Sequence, residues 1–295
     1  MELNKNFIEK QKYYITVFEE YSKKIFSEKF NTEKTLLDAM KYSFFAGGKR
    51  VRPTLMLSCA EMLNIEFDLV LPFAFALECI HTYSLIHDDL PAMDNDDYRR
   101  GKLTNHKIYG EGMAILAGDA LLNFAFSVMA SENCKRMDIK VCKCLSLISD
   151  FAGFEGMIGG QAYDIVAEKL HLKDDEILEY IEKNKTAKLI MCAVLVPALL
   201  SENKFNLFYE FGYKLGLQFQ IVDDILDVIS NKETLGKSIG KDANSGKLTY
   251  VSMYGIENAI KKSELLHLEC LDILKRIENS SFLIEYCYKL RDRIS

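Results

Sequence analysis

The stretch Leu69–Asp94, LVLPFAFALECIHTYSLIHDDLPAMD, is a long apolar run that ends in aspartates. A second stretch, Phe219–Asp227 (FQIVDDILD), has the same arrangement. Apolar runs of this kind predict helices, so each stretch places carboxylates at one end of an apolar helix. A half-buried carboxylate is costly unless a cation neutralises it. Mg²⁺ binds through one or two carboxylates and substrate phosphates, so the two acidic motifs predict a Mg²⁺-dependent enzyme with a phosphorylated substrate.

The rest of the chain predicts an all-α fold. Apolar residues recur at intervals of three and four, only four prolines occur, and hairpin signals between alternating runs are missing. We expect about ten helices in one domain that covers residues 1–295. The main predicted helices cover approximately residues 69–89, 112–130, 174–199, 206–229 and 249–279. The polar stretch 230–247 predicts a mobile functional loop, because it is long for a simple connection.

Composition excludes several classes of function. The net charge of −6 gives no basic surface for nucleic acid. The eight cysteines show no CxxC spacing, which favours free thiols in a reducing compartment. The longest apolar run, Leu189–Leu200, contains Pro197 and is shorter than the roughly 20 residues of a membrane span. With no signal peptide at the start, we expect a cytoplasmic protein without a membrane span.

The spacing of the aspartates indicates how they bind metal. Asp223 and Asp227 are four apart and share one helix face, whereas Asp224 turns away by about 100°. In the first motif Pro91 ends the helix, so we expect the chain to bring Asp94 back toward Asp88. The candidate metal ligands are Asp88, Asp89, Asp94, Asp223, Asp224 and Asp227.

Basic residues beside glycines predict anion sites. Gly47–Pro53 (GGKRVRP) places three cations next to a helix start, where backbone amides also bind anions. It is not a P-loop, because the GxxxxGK[ST] spacing is missing. Further basic elements are Arg99-Arg100, Lys185-Thr186, Gly236-Lys237 and Gly246-Lys247. Together with two acidic motifs, these elements predict two diphosphate sites.

In their order and content, these motifs resemble the trans-isoprenyl diphosphate synthases, and most closely the bacterial-type farnesyl diphosphate synthases. The resemblance covers approximately residue 35 to the end. It rests on Gly47–Pro53, His81–Asp97, Arg99–Gly101, Gly156–Gln161, Lys185-Thr186, Gln220–Asp227 and Thr234–Lys237. It implies an all-α fold of about ten or more helices around a central active-site cavity, a homodimer, and head-to-tail condensation of isopentenyl diphosphate onto an allylic diphosphate. One departure is Val251 after Tyr250, where the family usually has proline; it affects a helix start rather than a ligand.

The resemblance also implies roles for single residues. Asp88 and Asp94 would hold two Mg²⁺ ions on the allylic diphosphate, and Asp223, supported by Asp227, would hold a third, with Mn²⁺ as an alternative metal. The residues implied to contact the allylic diphosphate are Arg99, Lys185 and Lys237, with Lys247 nearby. Those implied to bind isopentenyl diphosphate are Lys49, Arg52, His81 and Arg100. Thr186 and Gln220 would turn oxygen dipoles toward the developing carbocation.

Chain length is expected to depend on Tyr83, five residues before Asp88 and so roughly 7.5 Å down the helix. An aromatic ring there, beside the small Ser84, can form the floor of the prenyl pocket. In the family, an aromatic residue at this position, together with the two extra residues in the first acidic motif, goes with a C15 product. A geranylgeranyl diphosphate synthase, with a C20 product, is the alternative. His87, next to the aspartates, is expected to be structural.

Three other interpretations remain open. A terpene cyclase would use similar acidic helices but leaves Lys49, Arg52 and Arg100 unexplained. A di-iron bundle is suggested by three Glu-x-x-His spacings, which are Glu78/His81, Glu168/His171 and Glu264/His267, but it leaves both acidic motifs without a role. A regulatory subunit of the same family would typically have lost an acidic motif, and this chain keeps both.

Overall fold

Helices make up almost all the regular structure of the residues that the computed structural model describes, which are 5–202, 204–234 and 247–294. The all-α prediction is therefore confirmed. The chain divides into two compact units. We call Lys10–Leu145 the N-terminal unit, and Met1–Glu9 with Ser146–Ser295 the C-terminal unit. The prediction of a single domain stays a prediction.

The N-terminal unit is built around one apolar helix, α4. The helices that lie in this unit or enter it are α1 (Lys5–Phe26), α2 (Lys34–Phe44), α3 (Val51–Met62), α4 (Phe67–Asp88), α5 (Asn105–Tyr109), α6 (Glu111–Arg136) and the start of α7 (Ile139–Ala152). Two short strands, β1 (Tyr98–Arg99) and β2 (Lys102–Leu103), pair antiparallel. This hairpin was not predicted from the sequence.

Burial explains why α4 lacks a polar face. Its residues from Val70 to Ile80 are all buried, and Phe75 packs edge to face against Phe26 and Phe124 at centroid distances of 5.6 and 5.5 Å. Such aromatic pairs contribute beyond the area that they bury. The helix ends at Asp88, close to the predicted end, and so presents the first acidic motif at the margin of this core.

The C-terminal unit contains the second acidic motif in its longest helix. Its elements are the end of α7, α8 (Met157–Leu170), α9 (Asp175–Ile181), a π-helical segment (Glu182–Ala187), α10 (Lys188–Ser201), α11 (Phe205–Thr234), α12 (Tyr250–Tyr254), α13 (Ile256–Lys275), α14 (Ser281–Arg291) and a 3₁₀ turn (Asp292–Ile294). Asp174 caps α9 by accepting hydrogen bonds from the amides of Glu176 and Ile177, as expected of aspartate at this position.

The helix predicted over residues 174–199 is observed as one continuous helical stretch, Asp175–Ser201, with a π-helical segment at Glu182–Ala187. Two predicted boundaries in this unit were wrong. The helix predicted over residues 249–279 breaks at Gly255, whose φ of 81° separates α12 from α13. The loop predicted over residues 230–247 starts later, because α11 continues to Thr234. The remainder of that loop, 235–246, lies outside the described residues.

Three described helical stretches are long and apolar enough to cross a membrane by length and composition alone. In Phe67–Asp88 and Asp175–Ser201 the most apolar windows are 78 % and 72 % buried. In Glu111–Arg136, by contrast, only 33 % of the window is buried. All three were predicted as helices from the sequence, but only the run Leu189–Leu200 was weighed there as a possible membrane span. The absence of a membrane span stays a prediction.

Candidate active site

The first acidic motif begins where α4 ends and folds back on itself. The amide of Asp94 donates to the carbonyl of Asp88 at 2.8 Å, and the amide of Asp96 donates to the carbonyl of Asp89 at 3.2 Å. The chain therefore returns Asp94 to the end of α4, as the spacing and Pro91 predicted. Asp88 is half-buried and Asp94 is exposed, so both remain near solvent at this end of the helix.

Asp89 differs from its neighbours, because it is buried and paired. It is 3 % exposed, and its Oδ1 accepts hydrogen bonds from both Nε and Nη2 of Arg99 at 2.6 Å. Burial raises the pKa of Asp89 to about 6, although Arg99 acts in the opposite direction. Asp89 thus holds Arg99 beside the motif, a contact that the sequence analysis did not foresee.

The β1–β2 hairpin connects this motif to the basic turn Gly47–Arg52. Its turn residues, Arg100 and Gly101, have φ of 53° and 73°, as a tight two-residue hairpin requires. Nη1 of Arg100 donates to the carbonyl of Gly47. A Cβ at Gly48 would lie 2.7 Å from Cζ of Arg100, and Gly48 has a φ of 131° that side-chain-bearing residues rarely adopt, so glycine suits this position.

Four arginines act on His81 in α4. Burial lowers the pKa of His81 well below its usual value, and the charges of Arg52, Arg100, Arg99 and Arg50 lower it further. His81 is therefore neutral at pH 7 and can donate or accept a hydrogen bond without charge. Arg52 is buried in the first turn of α3, while Lys49 and Arg100 are exposed. The predicted isopentenyl diphosphate residues Lys49, Arg52, His81 and Arg100 all belong to this unit.

Arg50, the middle cation of the basic turn, points inward. Its side chain is 1 % exposed, and Nη1 donates to Oε1 of Glu78 at 2.9 Å. Nη2 donates to the carbonyl of Phe44 at 2.9 Å, and the guanidinium lies 5.4 Å from the Phe44 ring centroid. Glu78 is thus the partner of a buried arginine and not an iron ligand. The di-iron interpretation loses one of its three motifs here.

The predicted pocket floor lies on the same helix. Tyr83 is 6 % exposed, and burial, with a smaller effect of Asp88, raises its pKa to about 12. Ser84 is half-buried and donates to the carbonyl of His81 at 2.9 Å. The ring of Tyr83 is therefore buried on α4, between one and two turns before the first acidic motif.

In the C-terminal unit, Lys185 and Thr186 lie in the π-helical segment, a local geometry that is frequent at functional sites. Glycines permit its close packing. A Cβ at Gly160 would lie 2.3 Å from the Lys185 amide nitrogen, and one at Gly216 would lie 2.6 Å from Cα of Ala187. Nζ of Lys185 donates to Oδ2 of Asp164, a buried residue that the sequence analysis missed although it lies just beyond the quoted motif Gly156–Gln161.

A chain of hydrogen bonds runs from this segment to the second acidic motif. Thr186 Oγ1 donates to Gln220 Oε1 at 2.5 Å, and Gln220 Nε2 donates to Asp224 Oδ1 at 2.7 Å. Asp224 Oδ2 accepts from the Tyr250 amide at 3.2 Å. Asp224 is 6 % exposed, and burial raises its pKa to about 7. The network fixes the Gln220 amide, so its oxygen and nitrogen have defined directions.

The other two aspartates of this motif are nearer to solvent, as their spacing predicted. Asp223 is half-buried, Asp227 is exposed, and Oδ1 of Asp223 lies 2.7 Å from Nη2 of Arg293. The sequence analysis did not identify Arg293, because no motif in the sequence links this residue to Asp223. A cavity of about 170 Å³ has a lining that includes Asp164, Lys185, Thr186, Gln220, Asp224, Asp227 and Lys247. Lys237 lies outside the described residues.

Glu182, the first residue of the π-helical segment, also lines this cavity and was not predicted. It is 7 % exposed. Burial, and then the charge of Asp224, raise its pKa to about 8. The cavity therefore contains two carboxyl groups whose pKa values lie well above the usual range of a carboxyl group.

The carboxylates suit Mg²⁺ although the described residues contain no preformed group of three or more metal-binding side chains. Mg²⁺ needs only one or two carboxylates when phosphates supply the other ligands. Asp88 with Asp94, and Asp223 with Asp227, each provide such a pair of accessible aspartates. The individual metal assignments stay predictions.

Comparison with known proteins connects these features. The family model described as polyprenyl synthetase matches residues 33–290. A geranylgeranyl diphosphate synthase of Cyanophora paradoxa is 46 % identical over 249 residues, which cover 83 % of each chain. A farnesyl diphosphate synthase of Geobacillus stearothermophilus is 45 % identical over 238 residues, covering 79 % of this chain and 80 % of that protein. The structure of a Helicobacter pylori geranyltransferase complexed with magnesium and isoprenyl diphosphate superposes with a TM-score of 0.81, at 32 % identity and with 99 % and 98 % of the two chains covered.

Proposed function

This chain is a short-chain prenyltransferase of the polyprenyl synthetase family, and on that premise we propose that its product is farnesyl diphosphate. In this proposal, isopentenyl diphosphate is condensed head-to-tail with dimethylallyl and then geranyl diphosphate, and diphosphate is released. The observation that best supports this proposal is the buried ring of Tyr83, five residues before Asp88. At about 1.5 Å per residue, Tyr83 lies roughly 7.5 Å down the helix from Asp88, which limits the prenyl pocket to a short chain.

The chemistry requires that a diphosphate leave an allylic carbon. Mg²⁺, when bound, neutralises the charge that develops on this leaving group. Asp88 and Asp94 would hold two Mg²⁺ ions on the allylic diphosphate, and Asp223, supported by Asp227, would hold a third. Arg99, oriented by Asp89, and Lys185, oriented by Asp164, add positive charge, together with Lys237 and Lys247.

The second substrate is bound by cations of the basic turn and the hairpin. Lys49, Arg52 and Arg100 bind the diphosphate of isopentenyl diphosphate, and neutral His81 adds a hydrogen bond. The double bond of isopentenyl diphosphate attacks the allylic carbocation, and the condensation product then loses a proton to the departed diphosphate. The Thr186 hydroxyl donates its hydrogen bond to Gln220. The lone pairs of the Thr186 oxygen can therefore stabilise the carbocation.

Product analysis tests this proposal. The protein, Mg²⁺ and labelled isopentenyl diphosphate are incubated separately with dimethylallyl, geranyl and farnesyl diphosphates, and the prenyl chains are sized. We expect C15 products and little use of farnesyl diphosphate as an acceptor. Tyr83→Ala should lengthen the products, and Ser84→Ala, which changes only a hydroxyl, serves as the control. An unchanged C15 product from Tyr83→Ala would remove this residue as the floor.

Geranylgeranyl diphosphate synthase is the second candidate, and the 46 % identity to the Cyanophora paradoxa enzyme favours it. Growth of the chain to C20 in the wild-type protein would select it. In that case the chemistry described above stays the same and the pocket floor lies below Tyr83.

A homodimer is part of the proposal, and the exposed apolar side of α6 supports it. Ile115 and Leu116 are 44 % and 53 % exposed on a helix whose most apolar window is only 33 % buried. A second copy of this chain would cover such a surface. Light scattering should give twice the chain mass, and Leu116→Lys should give the monomer. Binding of wild-type protein to lipid vesicles instead would assign the surface to a membrane.

A cytoplasmic location belongs to the same proposal. All eight cysteines are free thiols, six of them buried, and free thiols are typical of reducing compartments. Fractionation of cells that produce the protein would test this location.

A further inference from the structure

Gly118 in α6 provides the space in which the His87 ring lies. A Cβ at Gly118 would be 2.2 Å from Nε2 and 2.5 Å from Cδ2 of His87. The nearest atoms that such a Cβ would meet are all in this imidazole. A side chain at position 118 would therefore first meet the ring that immediately precedes the first acidic motif.

Hydrogen bonding fixes the orientation of this ring. Nε2 of His87 lies 3.2 Å from the carbonyl oxygen of Ile115. Because a carbonyl oxygen only accepts, Nε2 carries the proton in this contact. Oδ1 of Asp119, four residues along α6, lies 3.8 Å from the same nitrogen. One turn of α6 thus surrounds the His87 ring with the space at Gly118, the Ile115 carbonyl that accepts its hydrogen bond, and the nearby Asp119 carboxylate.

The fixed imidazole packs against the proposed floor of the prenyl pocket. The rings of Tyr83 and His87 meet edge to face, at a centroid distance of 5.7 Å and an interplanar angle of 81°. Among the described residues, the Tyr83 hydroxyl has no hydrogen-bond partner. Packing must therefore hold this ring in place, and His87 is one turn above it on α4.

We propose that His87, seated on Gly118, is a positioning residue that holds the Tyr83 ring across the prenyl pocket and so limits product length. The inference rests on the proposed function for its substrate. His87 takes no part in bond making or breaking. Its contribution is to keep Tyr83 from turning aside when a growing chain presses on it.

A double-mutant cycle on thermal stability tests the packing of His87 against Gly118 without any activity measurement. Gly118→Ala should lower the thermal midpoint when His87 is present, because the new methyl group collides with the ring. In the His87→Ala background the same change should leave the midpoint unchanged or raise it, because alanine favours helix over glycine. An equal fall in both backgrounds would mean that Gly118 is needed for another reason, and the inference would be overturned.

Product sizing tests the consequence for specificity. With isopentenyl and geranyl diphosphates, His87→Ala and Gly118→Ala should each give a severalfold rise in the ratio of C20 to C15 products. His87→Gln, whose amide can still donate to the Ile115 carbonyl, should retain more C15 product than His87→Ala. A simple loss of stability would lower turnover without this change in ratio.

Failure of the proposed function and failure of the positioning role give different results. If wild-type protein elongates no acceptor, the proposed function fails, while the double-mutant cycle still reports whether His87 packs against Gly118. If wild-type protein makes C15 product and His87→Ala makes the same mixture, the proposed function stands and the positioning role is overturned.

Discussion

Replacement of Arg50 by methionine is the most informative test of how the basic turn is built. Arg50 lies between Lys49 and Arg52 and has a left-handed φ of 46°. Its guanidinium is buried against Glu78 and Phe44. Methionine keeps the length of the apolar stem but removes the charge and every donor, so the Glu78 carboxylate remains buried without its cation.

The magnitude follows from the burial of the pair. The side chains of Arg50 and Glu78 are 1 % and 3 % exposed, and removing one partner of such a pair costs about 3–5 kcal/mol. The ion pair of Lys10 and Glu61 is shorter, at 2.5 Å against 2.9 Å, but its side chains are 40 % and 42 % exposed. Loss of an exposed pair costs about 0–1 kcal/mol, so Lys10→Met is a matched control.

Urea unfolding followed by far-ultraviolet circular dichroism measures both free energies. We expect Arg50→Met to lose several times more stability than Lys10→Met. The double variant Arg50→Met/Glu78→Leu should recover most of the loss, since replacing both members of a buried pair by apolar groups is often neutral. Because Arg50 shapes the turn, KM for isopentenyl diphosphate should also rise more than KM for the allylic substrate.

Equal losses in Arg50→Met and Lys10→Met would refute this reasoning. So would a double variant that is less stable than Arg50→Met, because the uncompensated carboxylate would then not be the source of the cost. A rise in KM for the allylic substrate alone would separate the basic turn from isopentenyl diphosphate binding.

Three further predictions follow from the site. Asp88→Ala and Asp223→Ala should each cut turnover by orders of magnitude with an unchanged circular dichroism spectrum, and near-normal activity in either would remove its metal assignment. Between pH 4.5 and about 8, folded Glu182 binds a proton that the unfolded chain has lost, so stability without metal should fall as pH rises; Glu182→Gln should flatten this fall in thermal melts with EDTA, and an unchanged slope would exclude Glu182 as its source. Gly160→Ala should lower the thermal midpoint, because its Cβ would lie 2.3 Å from a backbone nitrogen, whereas Gly112→Ala, with open space around it, should not.

Helical periodicity predicted the parts of the fold that depend on the local sequence alone. The end of α4 at Asp88 follows from an apolar run that stops at a proline. The burial of Asp224 between two more accessible aspartates follows from the angle between successive helical residues. Local rules suffice there, because one helix and its buried side decide the result.

Other features depend on partners that are distant in the sequence. The inward turn of Arg50 is decided by Glu78, 28 residues away, so the sequence analysis counted Arg50 with Lys49 and Arg52 as a cation of the predicted anion site. The π-helical segment is accommodated by Gly160 and Gly216 of other helices, and nothing within residues 182–187 announces it. The pairing of Asp223 with Arg293 joins residues that only the folded unit brings together.

The two acidic motifs use the same division of labour within an Asp-Asp pair. In each, the second aspartate is buried and bonded inside its unit, Asp89 to Arg99 and Asp224 to Gln220 and the Tyr250 amide. In each, the first aspartate stays half-buried at the margin. Successive residues on a helix point about 100° apart, so a neighbouring pair cannot turn both carboxylates toward one ligand. The second aspartate is therefore better suited to fix the helix end and a neighbouring side chain, and the first to meet the metal.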